Sequence, residues 1–118
     1  MATPDGKVAF EAGGKGYTLQ FTTNALCALE DKAGDSYRVA LELAAGADNP
    51  LLVSKKTLRF MFWAGVVGGS LTLEQAGDLV DAIGHRRATE IAREAFDAAF
   101  PDMEEAKGDE DPPKGAAG

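Results

Sequence analysis

The chain has 118 residues, 12 of them basic and 19 acidic, and its formal net charge is −7 at pH 7. This length suits one domain with a substantial core, and the negative charge argues against a nucleic-acid partner because nucleic-acid affinity depends on neutralising phosphates. No stretch approaches the roughly 18 apolar residues of a membrane span, and the start lacks the pattern of a secretory signal, so we expect a cytoplasmic protein with no membrane contact.

The N-terminal part of the chain has the alternating apolar pattern of β-strands. Residues 1–6 lack this pattern, and we expect them to be flexible. Apolar residues alternate on both sides of a glycine-rich loop: Val8 and Phe10 before it, and Tyr17, Leu19 and Phe21 after it. The segment Lys7–Thr22 is therefore predicted to form a β-hairpin. Since a lone hairpin is marginally stable, its face must pack on helices or its edge must pair with another strand, which a neighbouring subunit could supply.

A first helix is predicted after the hairpin. Thr22 or Thr23 is available as its N-cap, and Gly34 ends it. Its apolar stripe comprises Ala25, Leu26, Leu29 and Ala33. Cys27, the single cysteine, lies in this helix and is expected to be a buried, unreactive thiol.

A second, shorter helix follows. Asp35 or Ser36 caps its start, and it stops before Gly46 and the turn Asp48–Pro50. Its predicted apolar stripe comprises Tyr37, Ala40, Leu41 and Ala44. We expect this stripe to face the core.

The third helix is the most apolar segment of the chain. Ser54 begins it, the stretch Leu58–Val67 is apolar nearly all round, and Gly68 and Gly69 end it. Two interpretations are open: a central helix enclosed by the other elements, or a helix that offers one face to an apolar partner helix. Under the second interpretation the partner-binding residues are Phe60, Met61, Phe62, Trp63, Val66 and Val67.

Two further helical patterns complete the predicted domain. Thr72 and Gln75 have capping-box spacing, ahead of a stripe of Leu73, Ala76, Leu79, Val80 and Ile83. Gly84 either breaks or bends the helix, and the next stripe comprises Ala88, Ile91, Ala92, Ala95, Phe96 and Ala99. The domain is expected to cover residues 7–100. Residues 101–118 are acidic and nearly free of large apolar side chains, which predicts a disordered tail.

The pattern as a whole predicts a mainly α protein with a small N-terminal β-hairpin (α+β), built as a compact bundle of four to five short helices. Evidence for catalysis is thin. His85 follows Asp81 by four residues, but a helix-end histidine bonded to carbonyls explains it better than a catalytic pair. We predict no enzyme activity, no cofactor and no metal site.

Three segments resemble the small tail proteins of gene transfer agents and related siphophages. They are Thr23–Glu30, Leu58–Gly65 and Leu71–Gly77. The resemblance implies a tail assembly chaperone that binds hydrophobic helical stretches of the tape measure protein and helps to recruit tail tube subunits. We also expect a weak homo-oligomer or a multi-copy binder. The alternative is a structural tail or connector component that stays in the finished particle.

Overall fold

The computed structural model describes residues 5–68 and 71–100. The expectations for residues 1–4, for Gly69 and for the tail 101–118 lie outside these ranges. The elements are β1 (Val8–Ala12), β2 (Lys15–Leu19), α1 (Thr23–Ala33), α2 (Ser36–Ala45), a 3₁₀ turn (Pro50–Leu52), α3 (Lys55–Gly65), α4 (Leu73–Ile83) and α5 (His85–Ala98). The prediction of a mainly helical bundle with an N-terminal hairpin is confirmed.

The hairpin packs its apolar face on the helices, as its marginal stability requires. β1 and β2 are antiparallel, with Val8 paired to Leu19 and Phe10 paired to Tyr17. Phe10 is buried and meets the ring of Phe62 from α3 edge-on, at a centroid distance of 5.5 Å. This contact joins the hairpin to the middle of the helical bundle.

The C-terminal end of β2 pairs, at its outer edge, with the residues that follow α3. The backbone N–H of Gln20 donates to Gly65 O at 2.9 Å, and that of Val67 donates to Thr18 O at 2.8 Å. The predicted end of α3 at Gly68 is therefore wrong. The helix stops at Gly65 because the next residues become extended and pair with the end of β2.

Both of the first two helices begin at predicted caps. Thr22 Oγ1 accepts a hydrogen bond from Ala25 N at 3.1 Å, and Asp35 Oδ1 accepts one from Arg38 N at 2.8 Å. The expectation of a buried thiol is wrong, since Cys27 is exposed. Cys27 lies two residues before the fully buried Leu29. Side chains two residues apart in a helix point in directions about 200° apart around the axis, so Cys27 lies on the side away from Leu29.

The last two helices are separate. Thr72 and Gln75 form both bonds of the predicted capping box. Gly84 ends α4 with a φ of 96°, a conformation that suits glycine, so the chain breaks there and α5 begins at His85. The buried face of α5 contains the predicted Ala88, Ile91, Ala92, Ala95 and Phe96, together with Thr89, while Ala99 is partly exposed.

The core is organised around α3, which contacts α1, α4 and α5. Its Leu58, Met61 and Phe62 have no measurable exposure. Within residues 5–68 and 71–100, no helix has the length and apolar character needed to cross a membrane.

Candidate binding surface

The six residues predicted to bind a partner are mostly inside the core. Phe60, Met61, Phe62 and Val66 are buried. Trp63 is partly buried, with Lys32 Nζ 5.7 Å from its ring centre, and Val67 is 48% exposed. In this structure α3 is a central helix. Of the six residues, only Val67, which lies beyond the end of α3, presents a large apolar side chain to solvent.

The exposed large apolar side chains of the described residues lie mainly elsewhere. They are Tyr37 (72% exposed), Leu41 (53%), Leu51 (79%), Leu52 (56%) and Val67 (48%). Tyr37 and Leu41 lie on α2, beside the exposed Ala44 and Ala45. We call these four α2 residues the α2 face, and the α2 face together with Leu51 and Leu52 the exposed apolar surface. Exposed apolar side chains that adjoin one another commonly mark interaction sites.

The orientation of α2 corrects the prediction from the sequence. Its buried residues are Val39 and Leu43, whereas Tyr37, Leu41 and Ala44 of the predicted core stripe are exposed. Both pairs have the four-residue spacing of a helix face, so the sequence pattern alone supports either orientation. A position two residues further along a helix lies about 200° round the axis, so burial of one pair directs the other toward solvent.

A carboxylate fixes this orientation. Glu42 accepts hydrogen bonds from Ser54 N at 2.7 Å, from the Thr57 hydroxyl at 2.9 Å and from Arg38 Nη1 at 2.8 Å. Burial by itself raises the pKa of Glu42, but the hydrogen bonds from Ser54, Arg38 and Thr57, with the positive charge of Arg38, bring that pKa below its ordinary value. The charged carboxylate therefore joins α2 to the start of α3.

A close backbone approach holds the 3₁₀ turn against the end of α2. A Cβ atom on Gly46 would lie 2.3 Å from Val53 Cγ2, so the glycine permits a contact that a larger residue would block. The Asn49 side chain accepts from Leu51 N at 3.1 Å and caps the turn. With the turn fixed in this way, Leu51 projects into solvent from a turn that contacts α2.

His85 supports the other side of the same turn. Its Nε2 lies 2.8 Å from Pro50 O, which agrees with the predicted carbonyl contact. Its Nδ1 is buried with no hydrogen-bond partner among the described residues, so Asp81 does not orient the ring. His85 thus positions the turn that carries Leu51 and Leu52.

The sequence analysis missed Leu51 and Leu52. They lie between the turn-forming Asp48–Pro50 and the helix cap Ser54. The sequence did contain a signal of their exposure: two consecutive leucines stand in a short connection, and connections lie on the protein surface.

Other features of the described residues give little chemistry. No group of three or more His, Cys, Asp or Glu side chains is placed there to hold a metal ion. A groove of about 430 Å³ between α3 and α4 has basic residues on one side and acidic residues on the other: Lys55, Lys56 and Arg59 opposite Glu74, Asp78 and Asp81. Its opposing charges select neither an anion nor a cation.

No protein-family model, curated protein or solved structure matches this chain. The resemblance of its helical segments to small tail proteins therefore stays a prediction. The exposed apolar surface is the structural feature from which a function can be argued.

Proposed function

We propose that the protein is a non-enzymatic assembly chaperone of a phage-like tail. It binds apolar helical segments of the tape measure protein in the cytoplasm and helps to recruit tail tube subunits. The resemblance of the helical segments motivates this proposal. The observation that supports it most is the exposed apolar surface, where Tyr37 is 72% and Leu51 is 79% exposed.

In this proposal the partner-binding residues are assigned to α2 and no longer to α3. Tyr37 and Leu41 are four residues apart and form a ridge along α2, beside which an apolar helix can lie. Burial of a large apolar side chain is worth roughly 1.5–3 kcal/mol, so a few such contacts are enough for reversible binding. Val67 is outside this surface and is not assigned to it.

Weak binding suits a chaperone. Weak, transient interfaces bury less than about 1,200 Å² in total, and the proposed contact belongs to this class. Such a contact covers an apolar helix during synthesis and releases it when tube subunits compete for the same helix. The net charge of −7 keeps the complex hydrated and discourages aggregation.

Co-expression tests the proposal. The tape measure protein from the same gene cluster is produced with this chain, with an empty vector, or with an unrelated acidic protein of similar size. We expect this chain alone to raise the soluble amount of the tape measure protein and to be captured with it. An insoluble, unbound tape measure protein would contradict the proposal, and recovery of this chain in finished particles would favour the structural alternative.

A further inference from the structure

We propose that the groove between α3 and α4 binds a helix of a partner protein that carries acidic side chains along one edge and basic side chains along the other. The inference does not depend on the proposed function, because this groove shares no residue with the exposed apolar surface. We call it the charged groove. Its cationic wall is Lys55, Lys56 and Arg59 of α3, and its acidic wall is Glu74, Asp78 and Asp81 of α4.

The two helices run antiparallel on the two sides of the charged groove. A short connection leads from the end of α3 at Gly65 to the start of α4 at Leu73. Beyond the other end of α4, His85 Nε2 lies 2.8 Å from the carbonyl oxygen of Pro50, which shortly precedes α3. The first turn of α3 therefore lies beside the last turn of α4.

Charges on both walls oppose the helix dipoles. Lys55 and Lys56 are the first two residues of α3, where the partial charge of the dipole is positive. Asp81 lies in the last turn of α4, where that partial charge is negative. None of the six wall residues forms a salt bridge with another residue of the ranges 5–68 and 71–100. A ligand that pairs with both walls would offset these unfavourable placements.

Arg59 shows which group the cationic wall needs. A Cβ atom on Gly77 would lie 3.4 Å from Arg59 Cδ, so the stem of Arg59 rests against α4 at this glycine. Arg59 Nε is shielded from solvent and has no hydrogen-bond partner among the described residues. A buried donor without an acceptor is unfavourable, and a carboxylate can accept from two nitrogens of one guanidinium. An acidic side chain of the ligand therefore suits this wall.

The acidic wall requires the opposite charge in the same ligand. Glu74, Asp78 and Asp81 follow one another at four and three residues, so they form a row along about two turns of α4. A ligand of one sign would be attracted by one wall and repelled by the other. A helix placed along the groove can present an acidic row to α3 and a basic row to α4, as flanking charges do in coiled coils. The uncharged lining residues Leu73 and Gly77 favour small apolar residues between the two rows.

A synthetic peptide tests the charge pattern. The probe is an alanine-rich helix of about three heptads, with a glutamate row and a lysine row on the two sides of an alanine stripe. Matched peptides have only glutamine, only glutamate or only lysine in the same rows. NMR titration of the isotope-labelled full chain locates the binding through the backbone amide of Gly77. We expect the mixed peptide to bind at least about tenfold more tightly than each matched peptide.

Substitutions on each wall test the residues. Arg59→Gln and Asp78→Asn each remove one charge from the charged groove. Each should weaken binding of the mixed peptide about threefold or more, which is the scale of one surface ion pair. Arg87→Gln is the matched control, because Arg87 lies on α5 in an exposed contact with Glu90. Circular dichroism checks that every variant is folded, and added salt should weaken the binding.

Several results would overturn the inference. They are equally tight binding of the glutamine peptide, the absence of a shift at Gly77, and unchanged binding by both wall variants. Leu41→Asp separates the inference from the proposed function, since it should abolish capture of the tape measure protein and leave binding of the mixed peptide unchanged. If Leu41→Asp abolishes peptide binding and the wall variants do not, the peptide occupies the exposed apolar surface and the inference fails.

Discussion

The Glu42 carboxylate accepts a hydrogen bond from the backbone N–H of Ser54 at 2.7 Å, which joins the middle of α2 to the cap of α3. Because the same carboxylate also accepts from the Thr57 hydroxyl of α3, rotation of α2 about its axis would break both of these hydrogen bonds together. The exposure of Tyr37 and Leu41 therefore depends on a polar contact on another side of the same helix.

Replacement of this carboxylate should destabilise the fold. Glu42→Gln keeps the shape of the side chain but removes the charge that strengthens its hydrogen bonds, and we expect a loss of about 1–3 kcal/mol in the free energy of unfolding. Urea denaturation monitored by circular dichroism measures this loss. The matched control is Glu90→Gln, which affects an exposed contact to Arg87 and should change stability little. Equal stability of the two variants would contradict the assigned role of Glu42.

The contribution of Glu42 should depend on pH. Its pKa in the folded chain lies below its ordinary value of 4.5, so the folded state favours the charged form. The resulting stability is fully present above the unfolded pKa and is lost as pH falls through the lower, folded pKa. The difference in unfolding free energy between the wild type and Glu42→Gln should therefore be constant near neutral pH and should shrink below about pH 4.5. A difference that grows on acidification would contradict the direction of this shift.

Gly65 permits the close approach of α3 to the hairpin. A Cβ atom there would lie 2.9 Å from both Leu19 Cδ1 and Phe21 Cε1, in a buried site. We expect Gly65→Ala to destabilise the fold by about 1–3 kcal/mol through overpacking, as measured by thermal unfolding. Gly16→Ala is the control, because nothing lies within 4 Å of its added methyl group. A fully stable Gly65→Ala protein would show that the hairpin can move away from α3 without cost.

Truncation of two neighbouring aromatic residues should distinguish the core from its margin. Phe62 is fully buried beside Phe10, and Phe62→Ala should cost about 3–5 kcal/mol. Trp63 is only partly buried and has Lys32 near its ring, so Trp63→Ala should cost clearly less. Chemical denaturation of both variants tests the order. A larger loss for Trp63→Ala would contradict the placement of α3.

Local signals in the sequence predicted much of the fold. The caps at Thr22 and Thr72 depend on neighbouring residues and lie at positions that the sequence indicates. At Gly84 the structure has the break, one of the two alternatives that the sequence left open. The early end of α3 could not be predicted in this way. It depends on pairing of Val66 with Leu19, a contact between residues far apart in the chain.

The candidate site was harder to predict than the fold. The α2 pairs Tyr37–Leu41 and Val39–Leu43 have equal helical spacing, so apolar periodicity does not decide which of them faces the core. The choice follows from the contacts of Glu42 with Ser54 and Thr57, which join different helices. The apolar stretch of α3 was compatible with a core helix and with a partner surface, and its burial is a property of the whole bundle.

The most direct test of the central claim compares two substitutions of exposed apolar residues during capture of the tape measure protein. Leu41→Asp changes the α2 face, and Val67→Asp adds the same charge outside the exposed apolar surface, at the one predicted partner-binding residue of the α3 region that is exposed. We expect Leu41→Asp to lose capture and solubilisation while remaining folded, and Val67→Asp to retain both. Loss of capture with Val67→Asp but not with Leu41→Asp would contradict the assignment of the exposed apolar surface as the binding site.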